Sequence, residues 1–372
     1  MKARILCCFL LFLCSHAGHA QQRGIAISDT GLTASDNAEG YDQVLPDTVI
    51  RFPDDYGRHD GFRLEWWYLT ATLKDQEGND LGLQWTLFRN RLSPPVKPKL
   101  EDENDRPKSA WANSPWNSDH IWMAHAAITT KDDHYFEERF SRGAGGEAGA
   151  TVTNGAVDTW LADWRFHSIG PDQYRLSART RDFSYDLTLT RKGDEILQGD
   201  KGYSVKAASG QASHYFSHPF LAVAGTISFA DGRTLQVSGD AWLDREWSSQ
   251  FLSSNQTGWE WFALRLDDGS ALTVARVRDS DNGDLIFAGQ STKAGTTPLK
   301  GVEVTPTTPN QVMNWTIRVP SLDLTLETQP LNANSWNRGL FPYFEGPIKV
   351  SGSQKGVGYL EMTGYQPPSK DE

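Results

Sequence analysis

The chain has 372 residues, enough for two or three domains, and its 47 acidic residues outnumber its 36 basic ones. The resulting net charge of −11 argues against nucleic acid or an anionic membrane surface as a partner. All three cysteines lie within the first 14 residues, so the rest of the chain must be held together without disulfides.

The first twenty residues have the pattern of a secretory signal peptide. Lys2 and Arg4 form a basic start, residues 5–14 are mainly apolar, and a small-residue cleavage site ends at Ala20. We therefore expect cleavage near Ala20–Gln21 and a mature protein that is periplasmic or secreted. The apolar run is too short to span a membrane comfortably, and no later stretch approaches the required length, so the sequence predicts no integral membrane segment.

After the predicted signal peptide, residues 21–50 are polar and rich in Gly and Asp, which predicts an irregular lead-in. Beyond it, short apolar segments alternate with turn signals, and no long stretch has helical periodicity. The predicted strands cover residues 63–73, 81–89, 121–130, 159–167, 174–180, 183–191, 220–229 and 234–237. The pattern therefore predicts an antiparallel all-β fold.

Residues 91–119 interrupt this pattern with five prolines and a charged run. Insertions of this length without structure of their own are usually functional or disordered. Trp111 and Trp116 suggest that the distal part folds back onto the body. Two interpretations remain, a solvated insertion and a lid over a cavity.

Several motifs occur twice in the same order, which indicates internal duplication. The motif at residues 65–69, Glu-Trp-Trp-Tyr-Leu, returns at 260–264 as Glu-Trp-Phe-Ala-Leu. Further echoes join residues 164–166 with 315–317, 186–189 with 323–326, 215–220 with 343–348, and 237–239 with 362–364.

The repeats predict two copies of one β-domain, at residues 51–241 and 242–372, packed together because no Pro/Gly linker separates them. A closed sheet of about eight strands per copy, as in lipocalins, leaves no exposed strand edges and can hold a small ligand. A β-sandwich is the competing architecture.

The usual catalytic motifs are absent, including G-x-S-x-G, H-E-x-x-H, the Walker loop and the Rossmann fingerprint. Residues 279–284 resemble a calcium loop but lack the later bidentate Glu, so a hairpin turn is favoured. We predict neither a cofactor nor a metal.

One candidate cluster lies at residues 239–249, at the predicted junction of the two copies. Strand alternation places Trp242, Asp244 and Glu246 on one face, and Arg245 and Trp247 on the other. Carboxyls beside Trp in a dry site can have raised pKa values and donate protons. The alternative is a salt-bridge network that clamps the domains together.

A second cluster covers residues 214–219, with His214 and His218 four residues apart. That spacing suits a metal on a helix, but Pro219 and the β context argue against a helix and no local carboxylate or Cys completes a ligand set. Proton transfer or hydrogen bonding in a cavity is the remaining functional interpretation.

Three further polar residues lie inside apolar strands. His125 alternates with apolar neighbours and is expected to be a satisfied core or cavity-wall residue. Glu65 and Glu260 stand in Trp-rich strands, where buried acids must be paired or protonated. A structural pair with Arg63 or Arg245 is favoured over catalysis.

Long Trp-rich motifs resemble the secreted AttH-like proteins, a family often labelled predicted secreted hydrolases and related to the carotenoid 1,2-hydratases. These motifs lie at residues 62–68, 202–206, 241–249, 258–262, 343–347 and 358–365. The resemblance covers about residues 48–365 and implies two tandem lipocalin-like β-barrels.

The hydratase relatives add water across an isolated double bond of an isoprenoid chain. The resemblance implies that a carboxylic acid protonates the alkene and that aromatic faces stabilise the carbocation before water captures it. Asp244 corresponds to the acid, and we assign His214 and Glu246 to catalysis with it. The residues that we assign to substrate binding are Trp242, Phe216, Tyr215, Trp247, His125 and Trp67.

The sequence therefore predicts an exported lipocalin-like protein that handles a hydrophobic, isoprenoid- or lipid-like small molecule. In one hypothesis it is an acid-catalysed hydratase or hydrolase with Asp244 as the proton donor. In the alternative it is a non-catalytic carrier or chaperone, or an accessory protein of a membrane exporter of lipids or lipoproteins. The oligomeric state is left open.

Overall fold

The structure is a computed structural model that describes residues 38–95, 118–250, 252–292, 295–308 and 311–368. The predicted signal peptide and most of the Pro-rich insertion, with Trp111 and Trp116, lie outside the described residues. In the part of the chain that is described, no helix is both long enough and apolar enough to cross a membrane.

The described residues form two antiparallel β-sheets. The first contains β1 (Leu64–Asp75), β2 (Asp80–Arg91), β3 (His120–Thr129), β4 (His134–Ser141), β5 (Ala148–Thr153), β6 (Ala156–Leu161), β7 (Trp164–Gly170), β8 (Gln173–Arg179), β9 (Phe183–Arg191), β10 (Ile196–Leu197), β11 (Tyr203–Val205), β12 (Ala212–Phe229) and β13 (Thr234–Ser248). The second contains β14 (Gln256–Leu266), β15 (Ala271–Asp279), β16 (Leu285–Thr292), β17 (Gly295–Leu299), β18 (Glu303–Thr308), β19 (Gln311–Val319), β20 (Leu324–Pro330), β21 (Trp336–Asn337), β22 (Tyr343–Gly352) and β23 (Gly356–Met362). Short 3-10 helices lie at Asp54–Tyr56, Ala144–Gly146 and Pro320–Leu322.

The two sheets share one strand order. The first runs β4-β3-β2-β1-β13-β12-β9-β8-β7-β6-β5, and the second runs β17-β16-β15-β14-β23-β22-β20-β19-β18. From β4 to β7 and from β17 to β18 the strands correspond one to one. The first sheet forms a nearly closed barrel and the second a half-barrel. These findings confirm the predicted all-β fold of two tandem lipocalin-like units formed by duplication.

Some of the repeated sequence motifs lie on corresponding strands of the two sheets, and others do not. Glu65 on β1 and Glu260 on β14 stand on corresponding strands, as the repeat predicted. Trp164 lies on β7, whereas Trp315 lies on β19, which corresponds to β8. The echo of residues 164–166 with 315–317 therefore does not join equivalent strands.

Three strand predictions were wrong in detail, one of them because the strand predicted at 234–237 continues to Ser248. Residues 159–167 form a hairpin instead of one strand, because Ala162 adopts a left-handed conformation (φ 54°) between β6 and β7. The predicted strand at 220–229 begins eight residues earlier, at Ala212. It continues through Pro219, where a register shift between His218 and Leu221 accommodates the missing backbone donor.

The first barrel is filled with side chains. The inward face of β1 carries Trp67 and Leu69, which belong to one buried core with Trp85 and Trp122. From residue 38, where the description begins, the lead-in has little regular structure, as predicted, and most of it is exposed, although Tyr41 and Ile50 are buried. Tyr56, just after it, is fully buried in the same core, and its carbonyl accepts a 2.7 Å hydrogen bond from Trp67 Nε1.

The predicted boundary between residues 241 and 242 falls inside β13, which pairs along its length with β1 and β12 in the first sheet. By strand membership, the change from one sheet to the other lies between Ser248 and Gln256. We call residues 38–250 the first unit and residues 252–368 the second unit. They meet where β1 contacts β23, β2 contacts β22 and β10 contacts β17.

Candidate functional site

The predicted site residues lie on two opposite faces of the first sheet. On β13, Trp242, Asp244 and Glu246 face the second unit, whereas Arg245 and Trp247 face the barrel core, as the spacing predicted. On β12, Ser217 is the strand partner of Asp244 and Tyr215 is the partner of Glu246. These two therefore share the outward face, while His214 and Phe216 point inward.

Asp244 is almost completely buried between the two units, with 2% of its surface exposed. Its Oδ1 accepts hydrogen bonds from Ser217 Oγ and from Trp242 Nε1, the latter at 2.9 Å. Burial raises the pKa of Asp244 from 3.8 to about 7, because it outweighs these stabilising hydrogen bonds. A large share of this carboxyl is therefore protonated at neutral pH and available as a proton donor.

Glu246, two residues away, has a different environment. Its Oε1 accepts a hydrogen bond from Ser213 Oγ and lies 3.0 Å from Lys206 Nζ. The same ammonium lies 4.6 Å from the ring centroid of Tyr215 and 4.2 Å from that of Phe287. Glu246 is thus paired with a cation, whereas Asp244 forms no ion pair with any described residue. Neighbouring carboxyls in such different settings suit separate acid and base roles.

Trp261 of the second unit covers the Asp244 region. Its ring packs edge-on against Tyr68 at 5.1 Å and against Trp242 at 6.4 Å, and its Nε1 donates to the Tyr215 hydroxyl at 3.3 Å. Trp261 is therefore part of an aromatic wall that closes over the buried carboxyl from the opposite unit.

Gln198 adds a polar link between the units. Its Nε2 lies 2.8 Å from Ser217 Oγ and 3.0 Å from Thr273 Oγ1 in the second unit. Because Ser217 also donates to Asp244, this carboxyl is connected to the second unit through a chain of buried polar groups.

The second unit brings two more carboxyls to this interface. Glu345 on β22 and Glu361 on β23 are direct strand partners. Glu345 Oε1 accepts a 2.6 Å hydrogen bond from the Tyr68 hydroxyl, and Glu361 Oε1 accepts one of 2.8 Å from Trp259 Nε1. Burial raises the pKa of Glu361 to about 7 and that of Glu345 well above its usual range.

Neither Glu345 nor Glu361 was selected from the sequence, although both lie in motifs that carried the family resemblance. The available signal was a Glu within each of the aromatic motifs at 343–347 and 358–365. Their position near Asp244 depends on how the second unit packs against the first, and local sequence patterns do not predict that packing.

A row of polar side chains crosses the outward face of the first sheet. Each member is the direct strand partner of the next, from β4 to β12: Glu138, His125, Thr86, Tyr68, Asp244 and Ser217. The second unit lies over this row. The register of six strands, set by residues far apart in the chain, therefore assembles the site.

His125 was predicted as a substrate-binding, cavity-wall or core residue. In this row it is separated from Asp244 by Thr86 and Tyr68, and it forms a contact between the two units. Its Nδ1 lies 2.7 Å from the Tyr343 hydroxyl of the second unit, and its Nε2 lies 3.0 Å from Glu138 Oε2. Gln84 Nε2 donates to the same hydroxyl at 2.8 Å. His125 is thus a buried, satisfied residue of the interface.

The structure does not bring His214 to Asp244. The imidazole lies on the inward face, with its centroid 5.8 Å from Phe62 and 5.4 Å from Trp247. Burial lowers its pKa to about 4, so the ring is neutral at physiological pH. The sheet itself separates His214 from Asp244, because successive side chains of a strand point to opposite faces.

The remaining inward candidates fill the first barrel. Trp247 stacks on His59 at 4.0 Å, and Phe216 packs edge-on against Tyr56 at 5.0 Å. Trp67 lies under the Arg245 guanidinium at 3.8 Å. These aromatic side chains belong to the core of the barrel and do not line the Asp244 site.

Glu65 and Glu260 are paired structural acids, as predicted. Arg245 and Arg89 both form ion pairs with Glu65, and all three side chains are fully buried. Although burial alone would raise the pKa of Glu65, the two arginines hold it below its usual range. Glu260 pairs with Arg278. Arg89 was missed because it reaches Glu65 through the β1–β2 register.

The metal-site alternatives are not supported by geometry. His218 lies between the Tyr56 hydroxyl at 3.3 Å and the Gly193 carbonyl at 3.1 Å, away from His214. Asp279 accepts hydrogen bonds from the backbone of Asp281 and Asn282, which closes the 279–284 hairpin turn. In the described ranges, no group of three or more His, Cys, Asp and Glu residues is placed to hold a metal ion.

Comparison with known proteins gives the family. The AttH-like family model matches residues 43–365. A putative AttH from Nitrosomonas europaea has a similar solved structure, with a TM-score of 0.73 and 28% identity, covering 87% of this chain and 100% of that one. No curated protein matched the chain.

Two more distant solved structures share the fold. Kievitone hydratase from Nectria haematococca has a TM-score of 0.61 and 13% identity, covering 88% of this chain and 97% of its own. CghA with Sch210972 has a TM-score of 0.53 and 11% identity, covering 89% and 98%. At these identities the likeness shows the fold alone. The family match spans both units, and the chain therefore belongs to the AttH-like family.

Proposed function

We propose that the protein is a hydratase that adds water to a carbon–carbon double bond of an apolar, isoprenoid- or lipid-like molecule held between the two units. Asp244 is the proton donor. The observation that carries the proposal is a buried carboxyl with a pKa of about 7, beside Trp242 and without a cationic partner among the described residues. A kievitone hydratase with the same fold supports it.

In the proposed reaction, the Asp244 proton forms a new C–H bond with one alkene carbon and leaves a carbocation on the other. The faces of Trp242, Trp261 and Tyr68 stabilise that cation. Water then forms the C–O bond, and its proton returns to the Asp244 carboxylate. Glu246, which is paired with Lys206, assists by orienting the water. Alkene and water give an alcohol, and no oxidant or reductant is required.

Substrate entry requires the two units to separate. A crevice of about 10 Å³ lies between them, lined by Trp242 and Asp240 from the first unit and by Arg265 and Tyr359 from the second, among others. This volume holds about one water molecule. Among the described strands, the chain passes from one sheet to the other once, after Ser248, and we propose that the units open about this connection.

The test is incorporation of ¹⁸O from labelled water into unsaturated isoprenoid probes, measured by mass spectrometry. We expect labelled alcohol from the wild type and a loss of at least about 100-fold in Asp244→Asn, since general acid catalysis contributes this much. Asp194→Asn is the matched control, because the Asp194 side chain is 99% exposed on the surface. Equal turnover by the wild type and Asp244→Asn, both folded, rules out the assigned role.

A second candidate is a non-catalytic carrier or chaperone of an apolar molecule. It is favoured by the position of His214, which leaves no histidine next to Asp244 among the described residues to assist the water step. Native mass spectrometry of the purified protein distinguishes the two. A co-purifying apolar ligand recovered unchanged after incubation supports the carrier.

We also propose export to the periplasm or beyond, on the pattern of the first twenty residues. N-terminal sequencing of the exported protein is expected to begin at Gln21. An accessory role with a membrane exporter of lipids or lipoproteins predicts that a pull-down from membranes recovers a transporter component, and its absence contradicts that role.

A further inference from the structure

We infer that Glu345 binds an oxygen atom of the ligand, so that the site takes an apolar molecule carrying a hydroxyl or carbonyl group. This inference rests on the proposed binding of an apolar molecule between the units and names its class more closely. It assigns the polar end of the ligand to the second unit.

The first observation is an unpaired oxygen atom. Glu345 is fully buried, and its Oε1 accepts the hydrogen bond from Tyr68, but its Oε2 has no partner among the described residues. No Lys, Arg or His of the described chain forms an ion pair with it. A buried polar atom without a partner is costly, and native proteins usually satisfy it with water, an ion or a ligand.

The second observation is the form of the carboxyl group. Glu361 stands directly opposite Glu345 on the neighbouring strand, and two ionised carboxylates at such a position repel each other. Burial and this neighbour both raise the pKa of Glu345. The group is therefore a neutral acid whose free O–H needs an acceptor. A hydroxyl or carbonyl oxygen fits this requirement, whereas an ammonium ligand needs an ionised partner.

The position of Tyr68 links this polar end to the proton donor. Tyr68 is hydrogen-bonded to Glu345 and is also the direct strand partner of Asp244. Trp261 packs against both Tyr68 and Trp242. A ligand oxygen at Glu345 therefore directs the apolar part of the molecule along these rings towards Asp244.

The inference is tested with three probes of the same carbon skeleton: geraniol, geranylamine, and the hydrocarbon that lacks only the hydroxyl. Binding is measured by quenching of Trp fluorescence in the wild type, Glu345→Gln and Glu345→Leu. We expect the wild type and Glu345→Gln to prefer geraniol over the hydrocarbon by about tenfold, since an amide still donates a hydrogen bond. Glu345→Leu is expected to lose this preference. Circular dichroism confirms folding of each variant.

Four results overturn the inference: equal binding of geraniol and the hydrocarbon by the wild type, retention of the preference in Glu345→Leu, tightest binding of geranylamine, or no detectable binding of any of the three probes. The proposed reaction is judged separately, by ¹⁸O incorporation in Asp244→Asn. If the wild type shows no turnover, the hydratase proposal fails. If Glu345→Leu nevertheless loses the preference for geraniol over the hydrocarbon, the inferred ligand class is still supported.

Discussion

Arg245 and Glu65 form an ion pair inside the first barrel in which neither side chain is exposed to solvent. Asp244, the residue before Arg245, faces the opposite side of the same strand and has no cationic partner among the described residues. Strand β13 therefore carries a structural charge network on its inner face and, on its outer face, the carboxyl that we propose as the proton donor. The alternative of a salt-bridge network that clamps the two domains is not what Arg245 and Glu246 form, because Arg245 pairs with Glu65 and Glu246 pairs with Lys206, all within the first unit.

The Glu65 network is expected to be essential to stability. Glu65→Gln leaves Arg89 and Arg245 buried without their carboxylate, and breaking a buried ion pair from one side costs about 3–5 kcal/mol. Urea unfolding followed by circular dichroism measures the change. Asp158→Asn is the control, because Asp158 pairs with Arg165 at the surface. Such a pair contributes at most about 1 kcal/mol. Equal losses in the two variants contradict the structural role of Glu65.

Ionisation of Asp244 is expected to lower the stability as the pH rises from about 4 to about 7, against the opposing effect of buried histidines such as His214, whose pKa is lowered to about 4. Burial raises the pKa of Asp244 from 3.8 to about 7, so the unfolded chain ionises first across this window and unfolding becomes easier. Below the window the group is protonated in both states, and above it the loss is complete. Glu361, with its pKa also raised to about 7, acts in the same direction.

Asp244→Asn removes one of these groups. Relative to the wild type, the unfolding free energy of the variant is then expected to rise by up to about 4 kcal/mol between pH 4 and pH 7, for a shift of this size. Urea unfolding at a series of pH values measures it, with Asp194→Asn as the surface control. A pH dependence in Asp244→Asn identical to that of the wild type shows that Asp244 ionises normally in the folded protein.

The fold and one face of the site could be predicted from local patterns. Alternation and turn residues indicate strands, repeated motifs indicate duplication, and the period of two correctly places Asp244 and Arg245 on opposite faces. What failed was the relation between strands far apart in sequence. His214 shares a sheet with Asp244 but not a face, because the β12–β13 register places Ser217 opposite Asp244.

Contacts between the two units could not be predicted from local sequence patterns either. Tyr68 and Glu345 are hydrogen-bonded although 277 residues separate them, and each stands in an aromatic motif that fits a barrel wall equally well. The apolar surroundings of such residues predict that they are buried, but do not predict which residues they contact. The docking of one unit on the other decides their chemistry.

Trp261 is expected to hold the two units together. Trp261→Ala removes the ring that packs against Tyr68 and Trp242, and truncation of a buried Trp costs about 3–5 kcal/mol. We expect calorimetry to show separate transitions for the two units in place of a joint one. Trp160→Ala is the control, since Trp160 lies on β6 within the first unit. A single unchanged transition in Trp261→Ala contradicts this role.

The hydroxyl of Tyr343 is expected to help hold the two units together. It lies 2.7 Å from His125 Nδ1 and accepts from Gln84 Nε2 at 2.8 Å, both in the first unit. Tyr343→Phe leaves His125 Nδ1 without this partner and removes one of the two hydrogen bonds of Gln84 Nε2, which keeps Thr86 Oγ1, at a cost of about 1–3 kcal/mol. The matched change Tyr365→Phe breaks a hydrogen bond to Glu260 within the second unit. Proteolysis at the 249–255 connection is therefore expected to accelerate in Tyr343→Phe and not in Tyr365→Phe, and equal cleavage rates in both show that the hydroxyl does not hold the units together.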